Sequence, residues 1–235
     1  MRIAVSGTAN TGKTTFIKDF LGKWQSYTTP DKTYRDIITE KNLPHSDKTT
    51  IDTQRAILDF QVLTQSQYKK TDNVIFDRCP LDNLVYSMWA LNQEDSDINE
   101  KFIDECIPLV RESMRNLDII FFIPITKAAP INIENDGMRQ IDEQYIKEVD
   151  FIFKEFQRRY SHQALEPFFP QDDCPAIIEI FGSRQERLHL ANLYIDNDGD
   201  AIEGDMESLI GKEALEGLFK SQKEELFKSD NIIFT

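Results

Sequence analysis

Cysteine is scarce: Cys79, Cys106 and Cys174 are the only three in 235 residues. Three scattered thiols make neither a disulfide framework nor a zinc cluster, and they point to a reducing compartment. No apolar run approaches the ~20 residues that span a bilayer. Only three apolar residues separate Met1-Arg2 from Ser6-Gly7, too few for a secretory signal. Positive charge is also short, 27 Lys and Arg against 41 Asp and Glu, for a formal net charge of −14. Bulk nucleic-acid binding, which depends on neutralising phosphates, is therefore not expected. A small anionic ligand is still allowed, because a local site can be positive on an acidic protein. With 40% apolar and 11% aromatic residues the chain can fill a core, so disorder is not expected. The expectation is a cytoplasmic globular protein without a membrane partner, its oligomeric state open and a homodimer included.

Four short runs rich in Ile, Val and Phe read as buried parallel strands: Arg2 to Ser6, Asn73 to Asp77, Asp118 to Ile123 and Ala176 to Phe181. A weaker fifth, Trp24 to Thr29, is stopped by Pro30. Helices are expected over Thr15–Trp24, Thr50–Gln67, Ile98–Met114 with a kink or break at Pro108, and Gln140–Tyr160. Alternating strands and helices imply an α/β sheet with right-handed crossovers. From Asp196 the character changes. Asp196-Asn197-Asp198-Gly199-Asp200 is turn chemistry, and Ser208–Lys228 suits a final amphipathic helix. The acidic spacing mimics a calcium loop, but the position that needs glycine is Ala201, so a hairpin or acidic loop is the better reading. Residues 1–195 form the expected main domain, and residues 196–235 an acidic extension packed on it.

Gly7-Thr8-Ala9-Asn10-Thr11-Gly12-Lys13-Thr14 follows the first strand and opens a helix, the spacing and context of a P-loop. Glycines let backbone amides wrap a β-phosphate, and the helix N-terminus adds partial positive charge. Lys13 supplies a point charge, Thr14 a hydroxyl for Mg²⁺, and Thr15 closes the binding run. ATP or GTP with Mg²⁺ is implied, ATP first. Asp77-Arg78 ends the third run in chain order, where a parallel sheet presents ligands at its carboxyl edge. Asp77 is a candidate for the magnesium shell and Arg78 for gripping a phosphoryl group.

The P-loop and the Asp-Arg strand end resemble the P-loop nucleoside and nucleotide kinases. The closer resemblance is to the nicotinamide riboside kinase-like AAA-type P-loop proteins common in phages. Its marks are Asp136-Gly137-Met138-Arg139 and Gly182-Ser183-Arg184-Gln185-Glu186-Arg187. It implies a three-layer sandwich, a five-stranded parallel sheet of order 2-3-1-4-5, and a lid over about residues 126–147. It further implies that Arg139 closes onto the triphosphate, with Lys147 a weaker partner, and that Gly182 and Ser183 lie against the adenine with Arg187 nearby. On the acceptor side, Asp31 or Asp36 would orient the nucleophile, and Arg35 would bind the acceptor. Gln54 and Gln61, seven apart on one helix face, are candidates to read a base edge, and Asp82 belongs either to the same pocket or to a helix cap. Three readings stay open: a nucleoside or nucleotide kinase, a kinase of a hydroxyl on nucleic acid, and a non-metabolic ATP-binding switch.

Overall fold

The computed structural model describes residues 1–127, 142–161 and 173–202. The chain divides into two compact units, Met1–Asp200 and Ala201–Thr235. Only the first two residues of the second unit are described, so the expected helix over Ser208–Lys228 lies outside the described residues. The acidic turn is built into the first unit. Trp24 Nε1 donates to the Asp196 carbonyl at 2.6 Å, and the Tyr27 hydroxyl to the Gly199 carbonyl at 2.7 Å. The Asp196 carboxylate accepts the amides of Asp198, Gly199 and Asp200, each at 2.9 Å, so it serves the turn itself. Tyr27→Phe deletes the buried bond to Gly199 and is expected to cost about 1 kcal/mol of unfolding free energy in a urea titration.

Among the described residues the elements run β1 (Arg2–Ser6), α1 (Lys13–Lys23), α2 (Tyr34–Glu40), α3 (Ile51–Ser66), β2 (Val74–Asp77), α4 (Pro80–Leu91), α5 (Glu100–Ser113), β3 (Ile119–Phe122), α6 (Glu143–Ser161), β4 (Ala176–Glu179) and α7 (Arg184–Ala191). The four strands form one parallel sheet in the order β2-β1-β3-β4. The expected fifth strand is reduced to a single parallel bridge, Thr28 to Val74, beside β2. Only the four-stranded sheet is therefore seen.

Alternation along the strands sorts the core into two layers. Ala4, Val74, Phe76, Ile120 and Phe122 face one side, where α4, α5 and α6 deliver Leu84, Trp89, Phe102, Val110, Val149 and Phe153. Ile3, Val5, Ile75, Ile119 and Phe121 face the other, against Phe16 and Phe20 of α1 and Ala191 of α7. β1, β2 and β3 are thus covered on both faces, as expected. β4 is not: its Ala176 and Glu179 are exposed. Pro108 does not divide α5. Pro108 and Asp104, whose carbonyl loses its helical donor, both sit on the exposed face, where water supplies the missing bond. This topology sends every strand's carboxyl end to one edge, and the site is built there.

Candidate active site

The loop between β1 and α1 crosses that edge. Gly7 has φ +134°, and a Cβ added to it would lie 2.6 Å from the Ile123 carbonyl oxygen after β3. Only glycine fits. Gly7→Ala is expected to lower unfolding free energy by about 1–3 kcal/mol and to weaken nucleotide affinity, read by thermal melting and calorimetry. Asn10 and Gly12 are also left-handed, and Gly12 is the N-cap of α1. The Lys13 ammonium is tucked into the loop, donating to the Thr8 carbonyl, with Thr11 Oγ1 at 3.4 Å. Thr8 donates to the Ile146 carbonyl of α6 at 3.0 Å, which ties the loop to the helix behind it. Thr14 and Thr15, in the first turn of α1, face outward.

Arg78 and Asp82 brace this loop from below. Asp82 is 1% exposed and Arg78 8%, and their ion pair is 2.9 Å long. The Asp82 carboxylate also accepts from Ser6 Oγ at 2.8 Å, the Gly7 amide at 3.3 Å and the Cys79 amide at 3.1 Å. Arg78 in turn donates to the Gly7 carbonyl at 3.0 Å and the Tyr86 hydroxyl at 2.9 Å. Its guanidinium lies between the Tyr34 and Tyr86 rings, 5.2 and 4.7 Å from their centroids. Burial alone would weaken its basicity, but Tyr86, Tyr34, Asp82 and Asp77 more than offset that and hold it firmly charged. The backbone of Arg78 is left-handed at φ +76°, a conformation unusual for a long side chain. Asp82 is therefore a loop brace and a cap for α4, not a group free for substrate.

A cleft of about 350 Å³ opens beside the loop. Ala9 of the loop, Arg78 and Asp82 line one end; Tyr34, Arg35, Ile38, His45, Gln54, Ile57, Gln61, Asn83, Tyr86 and Tyr145 complete most of the wall. It has the size and the mostly apolar wall of a small-molecule site with few polar groups. The Arg35 guanidinium donates to the Tyr34 hydroxyl at 3.2 Å. Burial would raise the Tyr34 phenol, yet Arg78 and Arg35 bring it below its ordinary value.

Several residues singled out from the sequence lie elsewhere or are already engaged. Asp36 does not reach the cleft, because its carboxylate caps α2, accepting from the Thr33 amide at 2.7 Å and the Thr33 hydroxyl at 3.0 Å. Asp31 is exposed and lines no described wall of the cleft. The Gln54 amide is spent within the protein, donating to Thr49 Oγ1 at 2.8 Å and accepting from Asn83 Nδ2 at 2.6 Å. Gln61 differs: it is buried in the wall, and neither amide atom has a partner. Asp77 closes β2 in a small recess next to the cleft, shared with Tyr34, Gln61 and Arg78, and its Oδ1 is buried without a partner.

On the far side of the loop, Gly182 has φ +84° and Ser183 caps α7 in a reciprocal box with Glu186. That spends Ser183 on the helix. Arg187 reaches back to donate to the Thr11 carbonyl at 2.6 Å, and burial lowers its pKa. Arg184 pairs with Asp19. Lys147 is exposed and paired with Glu143 at 3.0 Å. Arg139 and the segment Asp136–Arg139 lie outside the described residues, as does most of the expected lid.

Tyr34, Tyr86 and Asn83 escaped the sequence reading. Asn83 directly follows Asp82, and Tyr86 stands one helical turn beyond it, on the face that Arg78 touches, so helical spacing from the Asp-Arg motif would have found both. Tyr145 sat in an apolar stripe that reads as core. For a metal, the donor chemistry fits: Asp77 carries a buried carboxylate oxygen without a partner among the described residues and Thr14 an exposed hydroxyl, both hard oxygen donors of the kind Mg²⁺ takes.

A family model described as an AAA domain matches residues 2–167. No curated protein matches the chain significantly in sequence. Among solved structures, deoxyadenosine kinase from M. mycoides superposes with TM-score 0.59 at 17% identity, over 81% of this chain and 96% of that one. The NadR protein in complex with NR gives 0.59 at 15% identity, over 86% of this chain and 54% of that one. Thymidylate kinase from Candida albicans gives 0.52 at 15% identity, over 82% and 89%. At these identities the likeness is one of fold.

Proposed function

The chain belongs to the AAA domain family, and on that footing we propose that it is an ATP- and Mg²⁺-dependent phosphotransferase acting on a nucleoside or nucleotide. One observation carries the reading: a cleft sized for a small molecule shares Arg78, Asp82 and Ala9 with the phosphate loop. A donor on the loop and an acceptor in the cleft would thus meet at the sheet edge. The structural neighbours, a deoxyadenosine kinase and a thymidylate kinase, lend this acceptor class support by analogy of fold.

In this reading the amides of residues 7–15 and the N-terminus of α1 hold the β-phosphate. Lys13 leaves its resting contact with Thr8 and bridges β- and γ-phosphates, neutralising charge as the phosphoryl group departs. Thr14 and Asp77 would hold Mg²⁺, which when bound screens the phosphate oxygens and keeps the triphosphate tail in one geometry. Arg78 acts chiefly by fixing the loop against Asp82. Arg35, on the cleft wall, would meet the acceptor, and Arg139 would serve as the lid cation. Arg187 fixes the loop from α7. Gly182 is assigned to the adenine side. Gln61 reads the base. Asp31 and Asp36 are given no part, since neither lines the cleft. A loose transition state needs little deprotonation of the acceptor, so positioning and charge carry the rate.

The test is a screen with γ-labelled ATP against nucleosides, nucleotides, nicotinamide riboside and oligonucleotides. A labelled nucleoside or nucleotide product is expected, falling at least ~10²-fold when EDTA removes the divalent ion. Label on oligonucleotides alone, or ATP binding with no product, would overturn the assignment.

A further inference from the structure

A buried threonine hydroxyl in a loop can bond a carbonyl close by in the chain, as Thr11 does with the Thr8 carbonyl three residues back, at 3.2 Å. Thr8 does not. It is 0% exposed, and its hydroxyl crosses 138 positions of chain to reach the Ile146 carbonyl at 3.0 Å. Ile146 lies in the first turn of α6, and within a helix the amide four residues on already donates to such a carbonyl. The helix therefore gains little from the extra bond, while the loop gains a fixed point. What stands at the two ends of that bond gives it meaning. The Thr8 carbonyl is the seat of the Lys13 ammonium, and the next residue, Ala9, lines the cleft. Tyr145, beside Ile146, lines the cleft as well, and its ring meets Trp89 edge-on with centroids 4.5 Å apart. Farther along, α6 is pinned to the chain after β3. Asp150 accepts the Ile125 amide at 2.9 Å, and Lys154 donates to the Ile125 carbonyl at 2.7 Å. The first turn is the part of α6 that the loop holds.

We propose that Thr8 is a positioning residue that couples the phosphate loop to the acceptor cleft. The proposal rests on the reading above, in which a nucleotide on the loop draws Lys13 off the Thr8 carbonyl. Lys13 then has two seats, the carbonyl and the phosphates, and the nucleotide selects the second. Relieved of the ammonium, the Thr8 peptide settles anew. The hydroxyl of the same residue carries that change to the Ile146 carbonyl, and so to the Tyr145 ring. A filled loop thereby sets the cleft wall for an acceptor, and by linkage an acceptor against Tyr145 tightens nucleotide binding by the same factor. Arg78 and Asp82 also hold the loop, but their bonds end on Gly7, one residue short of the Lys13 seat. The chemical return is alignment: a cleft that fits its acceptor best beside a bound nucleotide brings hydroxyl and phosphoryl group together in one geometry.

The test uses the full-length protein carrying 5-fluorotryptophan. Its two tryptophans, Trp24 and Trp89, belong to opposite core layers, so two fluorine resonances report separately. Trp24→Phe assigns them. Saturation with AMP-PNP and Mg²⁺ is expected to shift the Trp89 resonance. Thr8→Val keeps the branched shape without the hydroxyl; it should bind AMP-PNP within ~10-fold of wild type by calorimetry and lose the Trp89 shift. Thr8→Ser should restore the shift. With the acceptor that the labelled-ATP screen yields, Thr8→Val should raise the acceptor KM at saturating ATP by ~5-fold or more, while Thr8→Ser stays near wild type. A threonine with a structural role alone would lower the melting temperature without uncoupling the two sites. Bound AMP-PNP with an unmoved Trp89 resonance in wild type overturns the inference and leaves the phosphotransferase reading intact, and so does a wild-type shift in Thr8→Val. A Trp89 shift that depends on Thr8, in a protein that transfers no phosphate, supports the inference and overturns that reading. No binding of AMP-PNP overturns both. Should Thr8→Val fail to fold, Thr8→Ala carries the same comparison, and the wild-type response decides if neither variant folds.

Discussion

Replacing Asp82 with alanine is expected to lower unfolding free energy by about 3–5 kcal/mol, the cost of leaving one member of a buried ion pair without its counter-charge. The cost is large because four groups lose their acceptor together: the Arg78 guanidinium, the Ser6 hydroxyl, the Gly7 amide and the Cys79 amide. Screening cannot soften the loss, since both charges are almost wholly out of water. The damage should also reach the phosphate loop, because Asp82 and Arg78 hold the Gly7 amide and carbonyl from the same side. Asp82→Asn keeps the shape and some hydrogen bonds but loses the charge, so it should fall between wild type and alanine. Urea titrations of the three proteins, alongside calorimetric ATP affinities, check this. An alanine variant within 1 kcal/mol of wild type would show that the brace carries no such weight.

That brace was only half legible in the sequence. The glycines and Lys13 of the loop could be read because their chemistry is local: spacing along a few residues fixes both the turn and the charge. β1, β2 and β3 were legible for a similar reason, since burial on both faces leaves an unbroken apolar run. Residues that act across the fold were harder. Asp82 could be a helix cap or a pocket residue by sequence, and it is a cap that also holds a loop 75 positions away in the chain. Gln54 and Gln61 look alike on a helical wheel, yet Asn83, from the next helix, engages one and leaves the other open. Asp36 was placed near the acceptor by analogy of position, but Thr33 three residues earlier made the capping box a stronger local claim on it. Trp24 to Thr29, the weaker fifth strand candidate, keeps one ladder contact, Thr28 to Val74. Its Trp24 and Tyr27 side chains bond to the acidic turn near residue 200.

The second large effect concerns Lys13. Lys13→Ala is expected to cut the phosphoryl-transfer rate by at least ~10³-fold, on the scale seen when one preorganised group aimed at developing charge is removed. Stability should change far less. The ammonium is 6% exposed and contacts the Thr8 carbonyl and the Thr11 hydroxyl. Those acceptors belong to a loop whose frame is set independently by Asp82, Arg78, Arg187 and the Ile123 backbone. Removing a buried cation also removes the cost of keeping it there, which offsets part of the lost bonding. The variant should therefore melt near wild type while losing turnover, and that separation distinguishes a charge used in transfer from one used in folding. Lys13→Arg sharpens the test. It restores the charge, but a planar guanidinium cannot enter a pocket shaped for a compact ammonium, so activity should stay low. Wild-type turnover in Lys13→Ala would remove the loop from the chemistry altogether, and the cleft would then need another donor of positive charge to justify its place beside that loop.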